Sequence, residues 1–352
     1  MKVLFVGLGG VGQRHLRNLV ALKPDDLQIY AYRVRRSSFV LDDSLSIQQG
    51  ESLEEKYRIT VFDDLDDAWA IEYDAVFVCN PSSLHVPVLR AAIEHDCNVF
   101  IEKPVSDTLD GLDSIAEKAR KKGLIGYVGY QNRFHPCVKH ARQVLKDRTV
   151  GRVVSVQVEI GENVRNWHRY EDYRTMYACR KDLGGGVILS QIHELDYLYS
   201  FFGLPKSVYA VGGKLSDLEI DVEDVVDAVA VFEQDGSAFP VSVHEDYLQA
   251  PPTRTCKVIG TAGRFEFDLL ASRFVRFDEA GTLVEDTVFE FARNDMFIEE
   301  LEQFLAAIEE KGESAIPLSS GLASLRIALA LKESLEKGVV VRFKGGDYDR
   351  LP

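Results

Sequence analysis

The sequence predicts an α/β domain with a parallel sheet, followed by an α+β domain built on a large, mostly antiparallel open sheet. Three observations carry this. Residues 1–130 alternate short apolar runs with helical segments, the pattern of βαβ units. After Gln131 the alternation changes to period two. The first strand runs straight into a glycine-rich turn that opens a helix.

In chain order, Lys2–Val6, Gln28–Tyr32, Arg58–Phe62, Ala75–Val78, Asn98–Ile101 and Gly126–Gly129 read as strands, being short and rich in Val, Ile, Tyr and Phe. Helices are expected at Val11–Leu22, Pro87–His95 and Leu109–Lys122. In the last of these, Leu112, Ile115, Ala116 and Ala119 keep the spacing of a buried stripe. Val153–Ile160 sets Val154, Val156, Val158 and Ile160 against Ser155, Gln157 and Glu159, as in an antiparallel strand with one exposed face. Further strands are expected at Ser207–Val211, Val225–Phe232, Ala238–His244, Thr255–Ile259, Arg264–Asp268 and Arg273–Phe277, with Asp235-Gly236 marking a tight hairpin. Helices near Asp295–Glu310 and Ser320–Lys337 end the pattern. The expected division is residues 1–130, binding a dinucleotide, and 131–352, for substrate binding and oligomerisation.

The chain has 352 residues and a net charge of −15. That balance argues against nucleic acid as a partner, since phosphate binding rests on basic surface. No apolar run approaches the ~20 residues that span a bilayer, so no membrane role is expected. The five scattered cysteines form no Cys-x-x-Cys pair, which fits reduced thiols in the cytoplasm. No metal site is expected, because His193 lies in no His-Glu-x-x-His pattern.

Gly7-x-Gly9-x-x-Gly12 divides three tasks. Gly7 makes the turn out of the strand, Gly9 lets backbone approach a pyrophosphate, and Gly12 lets helix and strand pack closely. Val11 and its neighbours at the helix N-terminus offer free N–H groups to the phosphates. The end of the second strand separates the two nicotinamide dinucleotides. An acidic residue there would hold the ribose hydroxyls of NAD. The run Tyr30-Ala31-Tyr32-Arg33-Val34-Arg35-Arg36 has none. Arg33 and Arg36 can instead pair with a 2′-phosphate, which favours NADP(H) over NAD(H). The plainer reading is a solvated basic turn.

Glu102-Lys103-Pro104 closes a strand at the sheet's carboxyl edge, where ligands gather in such folds. A lysine at a strand end is by default a surface charge. Desolvation and a neighbouring nicotinamide cation would lower its pKa and fit it for exchanging a proton with an alcohol. Downstream, Gly184-Gly185-Gly186 leads into a helical stretch with His193 and Asp196 one turn apart. A lone histidine on an apolar helix is more often a core residue than a catalyst.

These anchors, with Asn80-Pro81-Ser82-Ser83-Leu84-His85 and Gly129-Tyr130-Gln131-Asn132-Arg133-Phe134, resemble the Gfo/Idh/MocA family of glucose–fructose oxidoreductase, inositol dehydrogenase and their relatives. The resemblance spans nearly the whole chain. It implies a Rossmann domain, an open-sheet domain often used for oligomerisation, and NAD(P)-dependent oxidoreduction of sugars or polyols. It implies that Lys103 and His193 are catalytic, that Glu102 braces the nicotinamide ribose, and that Asn80, Pro81 and His85 line the cofactor crevice. Many members carry an aspartate three or four positions before the histidine. Here Leu189 and Ser190 stand there, which leaves proton transfer to Lys103 and His193.

The stretch from Asn166 to Arg174, followed by Tyr177 and Arg180, is the candidate recognition segment. Trp167 and Tyr173 can stack on sugar rings, and Arg174 and Arg180 can clamp phosphate or carboxylate. Gln131, Arg133 and Gln191 join them as expected substrate contacts. The segment resembles the branch associated with nonulosonic-acid and surface-sugar pathways, which implies a sugar, amino sugar or nucleotide-sugar substrate and a homo-oligomer, dimer or tetramer. Two other readings stand beside this one: a hydrolase using a tightly held nicotinamide, and a non-catalytic cofactor-binding protein.

Overall fold

The computed structural model describes residues 1–34, 39–42, 44–50, 52–168 and 170–348. Six strands form the first sheet: β1 (Lys2–Val6), β2 (Gln28–Tyr32), β3 (Thr60–Phe62), β4 (Ala75–Val78), β5 (Asn98–Glu102) and β6 (Gly126–Gly129). Their order is β3-β2-β1-β4-β5-β6, and every pairing is parallel. The order reverses between β1 and β4, which opens a crevice at their carboxyl ends. Helix α1 (Gly10–Leu22) follows β1, α2 (His85–Glu94) follows β4, and α3 (Leu112–Lys122) follows β5. The central strands are apolar on both faces because helices cover both.

The second sheet has ten strands. In chain order they are β7 (Val153–Gly161), β8 (Ser207–Gly213), β9 (Val225–Gln234), β10 (Ser237–Asp246), β11 (Thr253–Gly260), β12 (Gly263–Asp268), β13 (Arg273–Asp278), β14 (Leu283–Val288), β15 (Val341–Lys344) and β16 (Asp347–Tyr348). The spatial order is β14-β13-β12-β11-β7-β10-β9-β8-β15-β16. All neighbours are antiparallel except β7 and β10, which run parallel. β7 therefore departs from its purely antiparallel expectation along one edge. The second sheet's neighbours include α4 (Pro136–Lys146), α5 (Val187–Ser190), α6 (His193–Phe202) and α8 (Leu318–Lys337), while α7 (Asp295–Glu310) packs against α1 and the turn after β6. The sheet face away from these helices leaves Tyr209, Val211 and Val229 exposed.

α4 lies outside the expected elements. Its signals are local: Pro136 in the first turn, the His135 ring accepting from the Cys137 N–H, and a buried stripe of Cys137, Val138, Ala141, Val144 and Leu145. Strands β14 to β16 were also not expected. β14 is largely exposed, so it lacks apolar contrast.

The two sheets are joined by the end of the chain. Phe5, Phe77, Phe100 and Tyr127 stack across β1, β4, β5 and β6 at 4.6, 5.4 and 5.5 Å between ring centres. Phe304 of α7 meets Phe77, Phe100 and Tyr127 edge-on at 5.8, 5.6 and 5.9 Å. Such pairs each contribute ~0.5–1.5 kcal/mol beyond burial of their area.

Candidate active site

The glycine turn has the shape a diphosphate cradle needs. Gly7 sits at φ 96°, a conformation that side chains resist. A Cβ on Gly9 would meet nothing within 4 Å, so the turn is open there. A Cβ on Gly12 would fall 2.3 Å from the Gly7 carbonyl oxygen. Because that neighbour is backbone, Gly12→Ala is expected to destabilise the protein by about 1–3 kcal/mol and to weaken dinucleotide binding. Urea unfolding and quenching of protein fluorescence by NADH measure the two effects.

Behind the turn, the wholly buried His15 of α1 places Nε2 2.6 Å from Glu102 Oε1. Glu102 ends β5, and its other oxygen accepts from the Lys103 N–H at 3.2 Å. One carboxylate thus ties the glycine-turn helix to the backbone of Lys103. On the neighbouring strand end, His85 Nε2 lies 2.7 Å from the Asn80 carbonyl oxygen. The Asn80 side-chain oxygen is buried without a partner. Pro81 caps the short turn over Ser82–Leu84. These residues stand beyond the carboxyl ends of β4 and β5.

Lys103 points across to the second half of the chain. Its Nζ donates to the Ser190 carbonyl at 2.7 Å. Burial lowers the amine's pKa to about 8; the Arg254 charge adds to this, and Glu102 and Glu194 oppose it. His193 opens α6, 5% exposed. Its Nε2 lies 3.2 Å from the Gln131 amide nitrogen, and Nδ1 has no partner. Burial holds the ring well below its usual pKa, with Lys103, Arg254 and Arg293 pushing the same way. His193 is therefore a neutral imidazole near pH 7. Gln191 donates to the Asp246 carbonyl at 3.1 Å and keeps its side-chain oxygen free. Trp167 packs edge-on against Tyr247, the next residue after Asp246, and its Nε1 is unpartnered. Buried polar atoms without partners are rare in folded proteins. Four here, on Gln131, Trp167, Gln191 and His193, suit a ligand rich in hydroxyls.

Other expected contacts go elsewhere. Arg133 is bidentate to Asp196, at 2.7 and 2.6 Å, and also donates to Ser320 Oγ. The Arg174 guanidinium joins Asp172 and Glu219, and Arg180 pairs with Asp182. Tyr173 lies against the cations of Arg165 and Arg174. None of these four joins Lys103 and His193, because each has a nearer ionic or aromatic neighbour. Arg33, 5% exposed, pairs with Glu54 of the short helix Leu53–Tyr57. Arg36 lies outside the described residues. Tyr170, from the recognition segment, instead reaches the cofactor side. Its hydroxyl lies 2.7 Å from where a Gly10 Cβ would stand.

Two residues of the cleft were not anticipated. Arg254, at the start of β11, binds both oxygens of the wholly buried Glu194 at 2.8 and 2.9 Å. A glutamate beside His193 on an apolar helix already called for a buried cation, but nothing local named the partner 60 residues away. A groove of about 670 Å³ lined by Arg133, Arg142, Tyr199 and Glu299 contains neither Lys103 nor His193. Among the described residues, no group of three or more His, Cys, Asp or Glu could hold a metal ion. Nor is any helix long and apolar enough to cross a membrane.

Fold and cleft define a nicotinamide-dependent oxidoreductase. Residues 1–130 match the oxidoreductase family with NAD-binding Rossmann fold, and residues 138–266 match the GFO/IDH/MocA C-terminal domain. The chain belongs to the Gfo/Idh/MocA family. It is 26% identical to a Thermotoga maritima myo-inositol 2-dehydrogenase over 343 residues, 96% of this chain and 97% of that one. It is 29% identical to a 2,7-anhydro-N-acetylneuraminate hydratase of Mediterraneibacter gnavus over 175 residues, 49% of this chain and 45% of that one. A levoglucosan dehydrogenase solved with NADH and levoglucosan has the same fold, with TM-score 0.81 at 17% identity over 97% of this chain and 99% of that one.

Proposed function

We propose that this protein transfers hydride between a nicotinamide dinucleotide and a hydroxyl or carbonyl of a sugar, amino sugar or nucleotide-sugar. One observation carries the reading: a half-buried amine with a pKa of about 8, at the carboxyl end of β5, held between the glycine-turn network and a histidine whose Nδ1 has no partner. Gly7, Gly9, Val11 and Gly12 would hold the diphosphate, with Asn80, Pro81, His85 and Glu102 along the crevice. The bound dinucleotide supplies the hydride acceptor or donor. Lys103, as the neutral amine, takes the proton of the reacting hydroxyl in oxidation and returns it in reduction. His193 Nδ1, with Gln131 and Gln191, orients that hydroxyl. Incubating the protein with a sugar panel and following reduced-nicotinamide absorbance tests this. A flat signal across neutral, amino, acidic and nucleotide sugars would sink it.

NADP(H) is placed ahead of NAD(H). The support is the absence of any carboxylate from Gln28 to Leu41. Because Arg33 is tied to Glu54, a 2′-phosphate would share that guanidinium rather than claim it. The dissociation constant for NADPH is expected to be about tenfold below that for NADH, the difference shrinking with added salt. Fluorescence titration decides, and equal or reversed affinities remove NADP(H) from the reading.

A homo-oligomer, dimer or tetramer, is the proposed assembly. Its support is the open sheet face bearing Tyr209, Val211 and Val229, which a partner would cover. The five cysteines are all unpaired and buried, which favours a reducing compartment, the cytoplasm.

A further inference from the structure

Tyr170 belongs to the recognition segment by sequence and to the cofactor side by contact. Its hydroxyl stands 2.7 Å from where a Gly10 Cβ would lie. Gly10 is the first residue of α1, a helix of 13 residues. The first turn of that helix presents free N–H groups and the positive end of the helix dipole, the place a diphosphate takes after a glycine turn. Any side chain at position 10 would meet the phenol.

The tyrosine is held there from both halves of the chain. On the first, the Gln13 amide of α1 donates to the Phe39 carbonyl at 3.3 Å and accepts from the Leu41 N–H at 2.8 Å. The Phe39 ring, on the backbone so fixed, lies 5.7 Å from the Tyr170 ring. On the second, His168 stacks on Tyr170 with ring centres 5.2 Å apart, and its Nδ1 lies 2.8 Å from Glu171 Oε1. The Asn163 and Val164 N–H groups donate to the Gln249 and Tyr247 carbonyls at 2.9 and 3.1 Å. Arg174 donates to Glu219 at 3.0 Å. The stretch is thus rooted at both ends in the second domain and touches the glycine turn of the first through Tyr170. Burial raises the phenol's pKa, so the hydroxyl keeps its proton and can donate it to a hydrogen bond.

We propose that Tyr170 is a cofactor-binding residue: its hydroxyl donates to the diphosphate of the dinucleotide, and the second domain thereby straps the cofactor onto the glycine turn. This rests on the dinucleotide site described above and adds a contact from the other domain. The same stretch carries Trp167, whose buried Nε1 lacks a partner. Cofactor and sugar are then held by two residues three positions apart, and by linkage each orders the strap for the other.

Tyr170→Phe keeps the ring against Phe39 and His168 and removes only the hydroxyl. It is expected to raise the dissociation constants of NADH, NADPH and ADP-ribose alike, each by about tenfold, with urea unfolding unchanged. Fluorescence titration reads the first two, and competition with NADH reads ADP-ribose. Adenosine, which lacks the phosphates, should show no difference between the two proteins. Affinities within about twofold of the wild type overturn the proposal. So does a loss confined to NADH and NADPH, which would put the hydroxyl on the nicotinamide side, and so does a loss shared by adenosine. Tighter binding by the variant overturns it as well, since the hydroxyl would then compete with phosphate for its place. A wild type that binds none of the dinucleotides sinks the cofactor reading itself, a result distinct from binding that ignores Tyr170.

A second measurement reads the strap directly. If the hydroxyl contributes about tenfold to affinity, saturating NADH makes opening of the strap about tenfold rarer. Tryptic cleavage after the exposed Arg165 should slow by about that factor in the wild type, and far less in Tyr170→Phe at saturating NADH. Equal protection in the two proteins overturns the strap.

Discussion

Lys103→Ala is expected to lower kcat by about 10²- to 10⁴-fold, the range general acid–base groups supply, while NAD(P)H binding persists. The pH profile gives the sharper signature. In the oxidative direction the neutral amine is the base, so kcat/KM should rise with pH and level off above about 8. In the reductive direction the ammonium is the acid, so the rate should be full below about pH 8 and fall above it. Both limbs should vanish in Lys103→Ala. His193 is neutral throughout this range and adds no limb there. Unaltered profiles in the variant would show that Lys103 moves no proton. Initial rates from pH 6 to 10, with the cofactor dissociation constant at each pH, are the measurement.

Asp196→Ala is expected to destabilise the fold by about 3–5 kcal/mol, because it strands a buried guanidinium. Asp196 receives two bonds from Arg133 and one from Ser324 Oγ at 2.7 Å. Those contacts fasten α6 to α8 and to the turn after β6. If Arg133 instead served the substrate, the variant would show a raised KM with little change in stability. Urea unfolding together with KM for a turned-over sugar separates the two. A loss below ~1 kcal/mol would refute the structural role.

What the sequence disclosed and what it hid divide along chain distance. The glycine turn, the six parallel strands and Lys103 were legible because their signals lie within a few neighbouring residues. Gly12 explains its own presence once Gly7 is one turn behind it. The arginines expected to meet substrate carry no sign in sequence of the partners they have in the fold. Arg174 and Arg180 answer to carboxylates two residues away, and Arg133 to one 63 residues on. Arg254 and Glu194 were missed for the same reason. The tenancy of Tyr170 beside Gly10 is a contact between halves of the chain that no periodicity reports. Helix α4 is the exception, since its proline, its cap and its stripe were all present locally.

The aromatic row across β1, β4, β5 and β6 waits for Phe304, and β6 further takes a backbone bond from Val128 to the Ile316 carbonyl at 3.0 Å. During synthesis at roughly 5–20 residues per second, the N-terminal sheet emerges from the ribosome well ahead of these covering helices. For on the order of ten seconds or more the nascent chain carries a bare aromatic face, a natural docking point for chaperones. A fragment ending before α7 would keep that face exposed permanently and would be expected to aggregate.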